Sequence, residues 1–305
     1  MRLVRLGISI VLLSLFVACA SPVEEVASFP IEVTDQLGTV VKLDKIPERI
    51  VSLTPSSTEI LFALGLGDKV VGVTEFCDYP EAAEVIEKIG GFNTADIEKI
   101  VVLESDLILA GNIHKDDVIP ALERLDLPVF TLDSKTLDEV LESIILVGEV
   151  TGKGEEAFHL VVGMRSRIKT ITDQTDNLSE AQRPRVFYIV WHDPLMTAGL
   201  DTRIHELIIK AGGTNIAQDL TGGYPTIGLE TVIQVAPQVI VTSSGHGEGA
   251  ALPFQFASTE PRLEDTEARI NNRVYQINTD LIGRPGPRIV DGLEKFAGFI
   301  HPELF

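Results

Sequence analysis

The chain has 305 residues, 45% of them hydrophobic, and a formal net charge of -20, with 25 Lys and Arg against 45 Asp and Glu. So acidic a protein is excluded as a partner for nucleic-acid phosphate and is not drawn to anionic lipid, whereas it suits a basic docking surface. Its length accommodates two domains of ordinary size.

Arg2 and Arg5 precede an apolar run over 6–18, shorter than the roughly 20 residues of a membrane-spanning helix and patterned like the hydrophobic region of an export signal. The run ends in Phe16, Val17, Ala18 and Cys19, which resembles a bacterial lipobox. Residues 1–18 therefore read as a signal peptide, Cys19 as the site of lipidation, and the small and acidic residues 19–28 as a flexible tether. The alternative is simple cleavage after Ala18 with Cys19 incidental. Either way the mature protein is expected outside the cytoplasmic membrane, and the lipid would hold it to the outer face. With Cys19 acylated, Cys77 is the one remaining thiol, so no intrachain disulfide can form.

From residue 29 the pattern is that of a folded lobe. Residues 29–33 and 39–43 alternate apolar and polar around Asp35, Gln36, Leu37 and Gly38, as in a β-hairpin. Short apolar runs at 50–53, 70–73, 107–110 and 129–132 then alternate with helical stretches such as 115–125 and 137–150. Ser56 and Glu59 stand at the spacing of a capping box. Buried strands alternating with helices predict a mostly parallel sheet covered on both faces, giving a first α/β lobe over 29–152.

At Gly152, Lys153 and Gly154 the pattern breaks. Phe158, Val161, Val162, Ile168 and Ile171 recur at helical spacing, and no proline intervenes before Pro184. The spacing predicts one long helix over about 155–181, ~40 Å at a rise of ~1.5 Å per residue, within a linker of 153–183. Strand and helix alternate again over 184–305, a second α/β lobe. The expected fold is thus two Rossmann-like lobes with mostly parallel sheets, joined by a single long helix, with a ligand cleft between them.

An internal repeat supports that division. Ile97, Glu98, Lys99, Ile100 and Val101, followed by Asp106 to Leu109, match Leu229, Glu230, Thr231, Val232 and Ile233, followed by Gln238 to Val241, at a constant offset of 132 residues. Each copy reads as a short helix opened by a glutamate, a helix-ending segment and an apolar strand. Helix starts favour a carboxylate on dipole grounds alone. Its recurrence in both halves also fits one exposed carboxylate per lobe gripping arginines of a two-fold symmetric permease.

Signatures of catalysis are near misses. GEVTGK at 148–153 is one residue short of a phosphate loop and is followed by Gly154 instead of Ser or Thr; His205 and Glu206 begin a zinc-protease motif without its second histidine. His192 and Asp193 have no nominated serine partner. No enzyme, cofactor or metal site is expected. The loops instead carry rings and glycines: Phe76 and Tyr79, Phe92 after Gly90 and Gly91, Trp191, and Tyr224 after Gly222 and Gly223. Such loops lie beyond the carboxyl ends of parallel strands, where ligands bind, and rings there make a broad, flat-walled cleft.

These pieces together, VTDQLGTVVKLDKIPERIVSLTPSSTEILFALG, GVTEFCDYP, IEKIVVLESDLIL, GLETVIQVAPQVIV and RPGPRIVDGL, resemble the ABC-importer binding proteins for cobalamin, ferric siderophores and haem, over nearly the whole mature chain. The cobalamin-binding branch is the nearest in pattern, although Phe76 and Phe92 stand where that branch often has Tyr and Trp. The resemblance implies that Pro55, Ser56, Phe76, Phe92, Tyr224 and the loop from Asp280 to Arg284 face the ligand, and that Glu98 and Glu230 dock to the permease. It further implies a corrinoid or other large chelate as ligand, a permease with ATPase subunits as partners, and a monomer as the working unit. Ferric siderophore and haem are the alternative ligands, with His192 or Tyr224 as haem axial donors. A receptor that stores ligand without a permease is the alternative role.

Overall fold

The computed structural model describes residues 29–244 and 249–305. The signal peptide, Cys19 and the tether lie outside the described residues. The chain opens with an antiparallel hairpin, β1 (Ile31–Thr34) and β2 (Val40–Leu43), in the register Ile31 opposite Leu43 and Thr34 opposite Val40. Its turn is set by Asp35, whose carboxylate accepts the amides of Leu37 and Thr39 at 3.0 and 2.8 Å, while Gly38 takes φ +85°. The other oxygen of Asp35 accepts from Thr131 N at 3.1 Å and fastens the hairpin to the first sheet.

That lobe continues with β3 (Ile50–Ser52), α1 (Pro55–Ala63), β4 (Val70–Val73), α2 (Ile97–Val102), β5 (Leu107–Gly111), α3 (Val118–Glu123), β6 (Val129–Leu132) and α4 (Leu137–Thr151). Its four strands are parallel in the order β4-β3-β5-β6. Helix α4 starts at a capping box, with Thr136 accepting from Glu139 N and Glu139 accepting from Thr136 N, and stops at Gly152 with φ +71°. The linker helix α5 (Gly154–Thr175) follows directly.

The second lobe holds β7 (Arg185–Ile189), β8 (Trp191–His192), β9 (Leu195–Met196), α6 (Arg203–Lys210), β10 (Thr214–Asn215), α7 (Leu229–Val235), β11 (Val239–Ser244), α8 (Leu252–Thr259), α9 (Glu267–Ile270), β12 (Val274–Asn278), α10 (Thr279–Gly283) and α11 (Ile289–Ile300). Its parallel sheet runs β10-β7-β11-β12, the order of the first sheet strand for strand. The repeat read from the sequence falls on α2 with β5 and α7 with β11. At the same joint of both copies the chain turns through a left-handed, non-glycine residue, Glu104 at φ +48° and Ala236 at φ +52°.

Linker helix α5 is shorter than its sequence pattern predicts, 22 residues and so about 33 Å. The guanidinium of Arg183 turns back onto the carbonyl of Thr175 at 2.8 Å and takes the last helical acceptors, so residues 176–183 leave the axis and feed β7. One continuous apolar core runs from the hairpin (Val41) through α4 and α5 (Ile144, Val161, Ile171) to α6 and α11 (Leu207, Phe296). Smaller clusters fill the other face of each sheet, around Ile108 and Leu122 in the first lobe and around Phe187 and Val232 in the second. Where α4 meets α5 the backbones nearly touch: a Cβ on Gly148 would come within 2.4 Å of Ala157 Cβ. The linker is thus packed into both lobes instead of bridging free space between them.

Candidate ligand-binding cleft

The carboxyl ends of β3, β5 and β6 deliver residues 54–56, 111–113 and 132–134 to one side of a cleft; α10, Arg284 and Arg203 of α6 face them from the second lobe. The cavity so enclosed measures about 800 Å³, at the large end for a small-molecule site. Phe76 and Phe92 add the loops after β4. Their rings meet edge to face at 6.5 Å and 79°, an arrangement in which the positive ring edge of one meets the π face of the other.

Pro55, Ser56, Phe76, Phe92, Asp280 and Arg284 all line this cavity. Trp191 and Tyr224 do not; both are solvent-exposed in the second lobe, Trp191 on the short strand β8 and Tyr224 on a loop, and the indole N–H of Trp191 donates to Asp193 O at 2.9 Å. His192 also stands off the wall, between Trp191 and Phe256. Among the described residues the wall contains no His, Tyr, Met or Cys.

The expected capping box of Ser56 and Glu59 is not formed. Thr54 caps α1 instead, accepting from Ser57 N at 3.1 Å, with Pro55 in the first turn where its missing N–H costs nothing. Glu59 is thereby one turn inside the helix and turned to the other lobe. Its buried carboxylate accepts from Arg288 Nε at 2.9 Å and Nη2 at 2.5 Å, with Arg284 Nη1 at 3.4 Å. Arg284 also pairs with Asp78 at 2.6 Å and with Asp280 at 2.9 Å, and Arg288 lies 3.8 Å over the Tyr79 ring. Burial works against both guanidinium charges, yet Asp78, Asp280 and Glu59 around Arg284, and Glu59 beside Arg288, hold them above the ordinary arginine range. The ion-pair cluster ties α1 and the loop after β4 to α10 and α11, at the base of the cleft.

Two further polar ties cross between lobes. Arg203, which also donates to Gly283 O within its own lobe at 2.9 Å, donates across to the carbonyl of Ser134; Glu206 accepts from Leu137 N at 2.8 Å at the head of α4. Burial pushes the Arg203 guanidinium down from its usual range, partly offset by Tyr224 and Asp133.

One residue behind the wall was not legible as part of the site. His114 is buried behind the aromatic pair and bonded to the loop carrying Phe92. Its only sequence signal is a histidine three residues past a strand ending in glycine, a pattern with no specific reading.

Glu98 and Glu230 occupy the first turns of α2 and α7, both exposed and equivalent in the two lobes. Asp96 caps α2 through Lys99 N, so Glu98 is not needed as the cap. Glu230 has Arg262 at 3.7 Å with 84% of its side chain exposed, a pairing that leaves it available at the surface.

Two α/β lobes of one topology, bridged by a packed helix and enclosing a large cleft, define a solute-binding protein. The chain belongs to the periplasmic binding protein family, whose profile matches residues 50–281. It is 35% identical over 282 residues to YvrC of Bacillus subtilis, an uncharacterized ABC transporter substrate-binding lipoprotein, covering 91% of this chain and 87% of the relative. Its fold superposes on the vitamin B12-binding protein BtuF of Vibrio cholerae with a TM-score of 0.71 and 31% identity, covering 84% of this chain and 97% of the other. The haem-binding protein RhuT of Roseiflexus gives a TM-score of 0.74 at 25% identity, covering 85% and 99%. The chain is therefore an extracytoplasmic ABC-transporter substrate-binding protein of the cobalamin, siderophore and haem group, and its relatives are binding proteins of transporters, not enzymes. Among the described residues no helix is long and apolar enough to cross a membrane.

Proposed function

We propose that this protein captures a corrinoid, cobalamin in the first instance, and delivers it to an ABC permease whose ATPase subunits supply the energy, while a lipid on Cys19 holds it at the membrane. The observation that carries the corrinoid reading is the composition of the cleft wall. Phe76 and Phe92 offer apolar faces to a broad planar ligand, and among the described residues the wall has no side chain of the types that ligate haem iron. A corrinoid that brings its own axial ligands needs none. An anionic ferric siderophore calls for unengaged cations, whereas Arg284 and Arg288 are already matched by Glu59, Asp78 and Asp280.

Binding is non-covalent. The ligand is held between the lobes, and the packed linker helix keeps closure small compared with proteins hinged by flexible strands. Glu98 and Glu230 then meet arginines on the permease, fixing register and favouring association. Titration of the purified protein with cyanocobalamin, haemin and a ferric siderophore, followed by Trp191 fluorescence and by the ligand's visible spectrum, tests the reading. Tight haem or siderophore binding with no cyanocobalamin binding would overturn it.

A further inference from the structure

We infer that His114 is a positioning residue for the ligand cleft: its imidazole braces the Phe92 loop against the loop after β5 and so sets where the Phe92 ring meets the ligand. The inference rests on the cleft being the ligand site and adds a residue that itself does not line the cavity.

In the neutral ring the contacts select one tautomer, although Gly111 O also lies 3.1 Å from Nδ1 and would take a proton there in the charged ring. Nε2 lies 2.7 Å from the carbonyl oxygen of Phe92, which can only accept, so Nε2 carries the proton. In the neutral ring Nδ1 then holds a lone pair, and it accepts the amide of Gly111 at 3.0 Å. Both partners belong to segments that line the cavity, Phe92 with Asn93 on one side and Gly111 with Asn112 and Ile113 on the other. The imidazole is 1% exposed, so neither bond has water to replace it. It also backs the Phe92 ring edge to face at 6.0 Å, on the ring that meets Phe76 at 6.5 Å. A row of three rings results, with the histidine as its buried end and the two phenylalanines on the ligand side.

Of the nearby alternatives in chemistry, a glutamine can extend an N–H to the Nε2 position, whereas an asparagine supplies only the acceptor at the Nδ1 position. His114→Gln, His114→Asn, His114→Ala and Phe92→Ala are therefore compared with the parent protein for cyanocobalamin affinity and thermal unfolding. The expected result is a loss of about tenfold in affinity for the Asn and Ala variants, about the upper end for one hydrogen bond, with Gln within about threefold of the parent. In the Phe92→Ala background the His114→Ala change should add nothing. An undiminished affinity in a folded His114→Ala, or an equal loss whether or not Phe92 is present, overturns the inference. If the parent binds no cyanocobalamin, the corrinoid reading fails, and the crystal structure of ligand-free His114→Asn decides this one. A Phe92 ring displaced from its contact with Phe76 supports it, and an unmoved ring sinks it.

Discussion

Glu59 of the first lobe and Arg288 of the second form a two-point ion pair across the base of the cleft, at 2.9 and 2.5 Å, with the Glu59 side chain 2% exposed. Removing one member of such a pair leaves the other charge buried without its partner, and Arg284 also loses a neighbour. Glu59→Gln is expected to cost on the order of 3 kcal/mol, a fall in Tm of roughly 6–12 °C for a chain of this size. Calorimetry that finds an unchanged Tm would show the pair to be dispensable.

The junction of α4 and α5 gives a matched pair of glycine substitutions. A Cβ at Gly148 meets Ala157 Cβ at 2.4 Å, whereas one at Gly163, midway along α5, meets nothing within 4 Å. Gly148→Ala should destabilise by about 1–3 kcal/mol through overpacking, and Gly163→Ala should stabilise by up to ~1 kcal/mol through helix propensity. Urea unfolding midpoints of the two variants should move in opposite directions.

Phe76 and Phe92 present the cleft's aromatic faces. Each change to alanine is expected to weaken ligand binding by about 1–2 kcal/mol, roughly 5- to 30-fold, with Tm nearly constant for Phe76, a residue 54% exposed. Isothermal titration of the two variants would measure this directly, and unchanged affinity in both would move the ligand elsewhere.

Replacing Glu98 and Glu230 together with alanine should abolish ligand uptake by cells while leaving the affinity of the purified protein intact, since both side chains are exposed and away from the cavity wall. Radiolabelled uptake at the parental rate in the double variant would defeat the docking role.

His114 and His205 are both held below the ordinary histidine range by burial, opposed for His114 by the carbonyls of Phe92 and Gly111 beside its ring nitrogens and for His205 by Glu206 and Asp201. A depressed folded-state value means that the unfolded chain takes up the proton first. The stability these groups contribute is complete above about pH 6.5 and is lost as pH falls below it toward their folded values. The unfolding midpoint should therefore fall between pH 7.5 and 5.5, and fall less in His114→Gln. An equal fall in that variant would assign the acid sensitivity to other groups.

The two lobes were readable because their strands are short, apolar and regularly spaced, and because Ile97 to Leu109 recurs 132 residues later. The cleft's aromatic loops were readable as rings beyond strand ends, which is where Phe76 and Phe92 stand. What could not be read are relations between residues far apart in sequence. Glu59 looked like half of a local cap because Ser56 lies three residues before it; its partners are 225 and 229 residues away. No proline interrupts linker helix α5 before Pro184, yet the helix stops at Thr175, whose carbonyl the side chain of Arg183 takes, a contact that periodicity does not encode. Trp191 shares the loop chemistry of Phe76, yet the β8–β9 turn carries it away from the cavity wall.

The packing of α5 into both lobes bears on traffic at the membrane. With one core running through both halves, the proposed docking helices α2 and α7 are expected to keep nearly the same separation when ligand binds. A permease that gauged only that span would accept both forms, so unloaded carriers would compete with loaded ones for the same seat. Delivery would then saturate, and even decline, as carriers came to outnumber ligand.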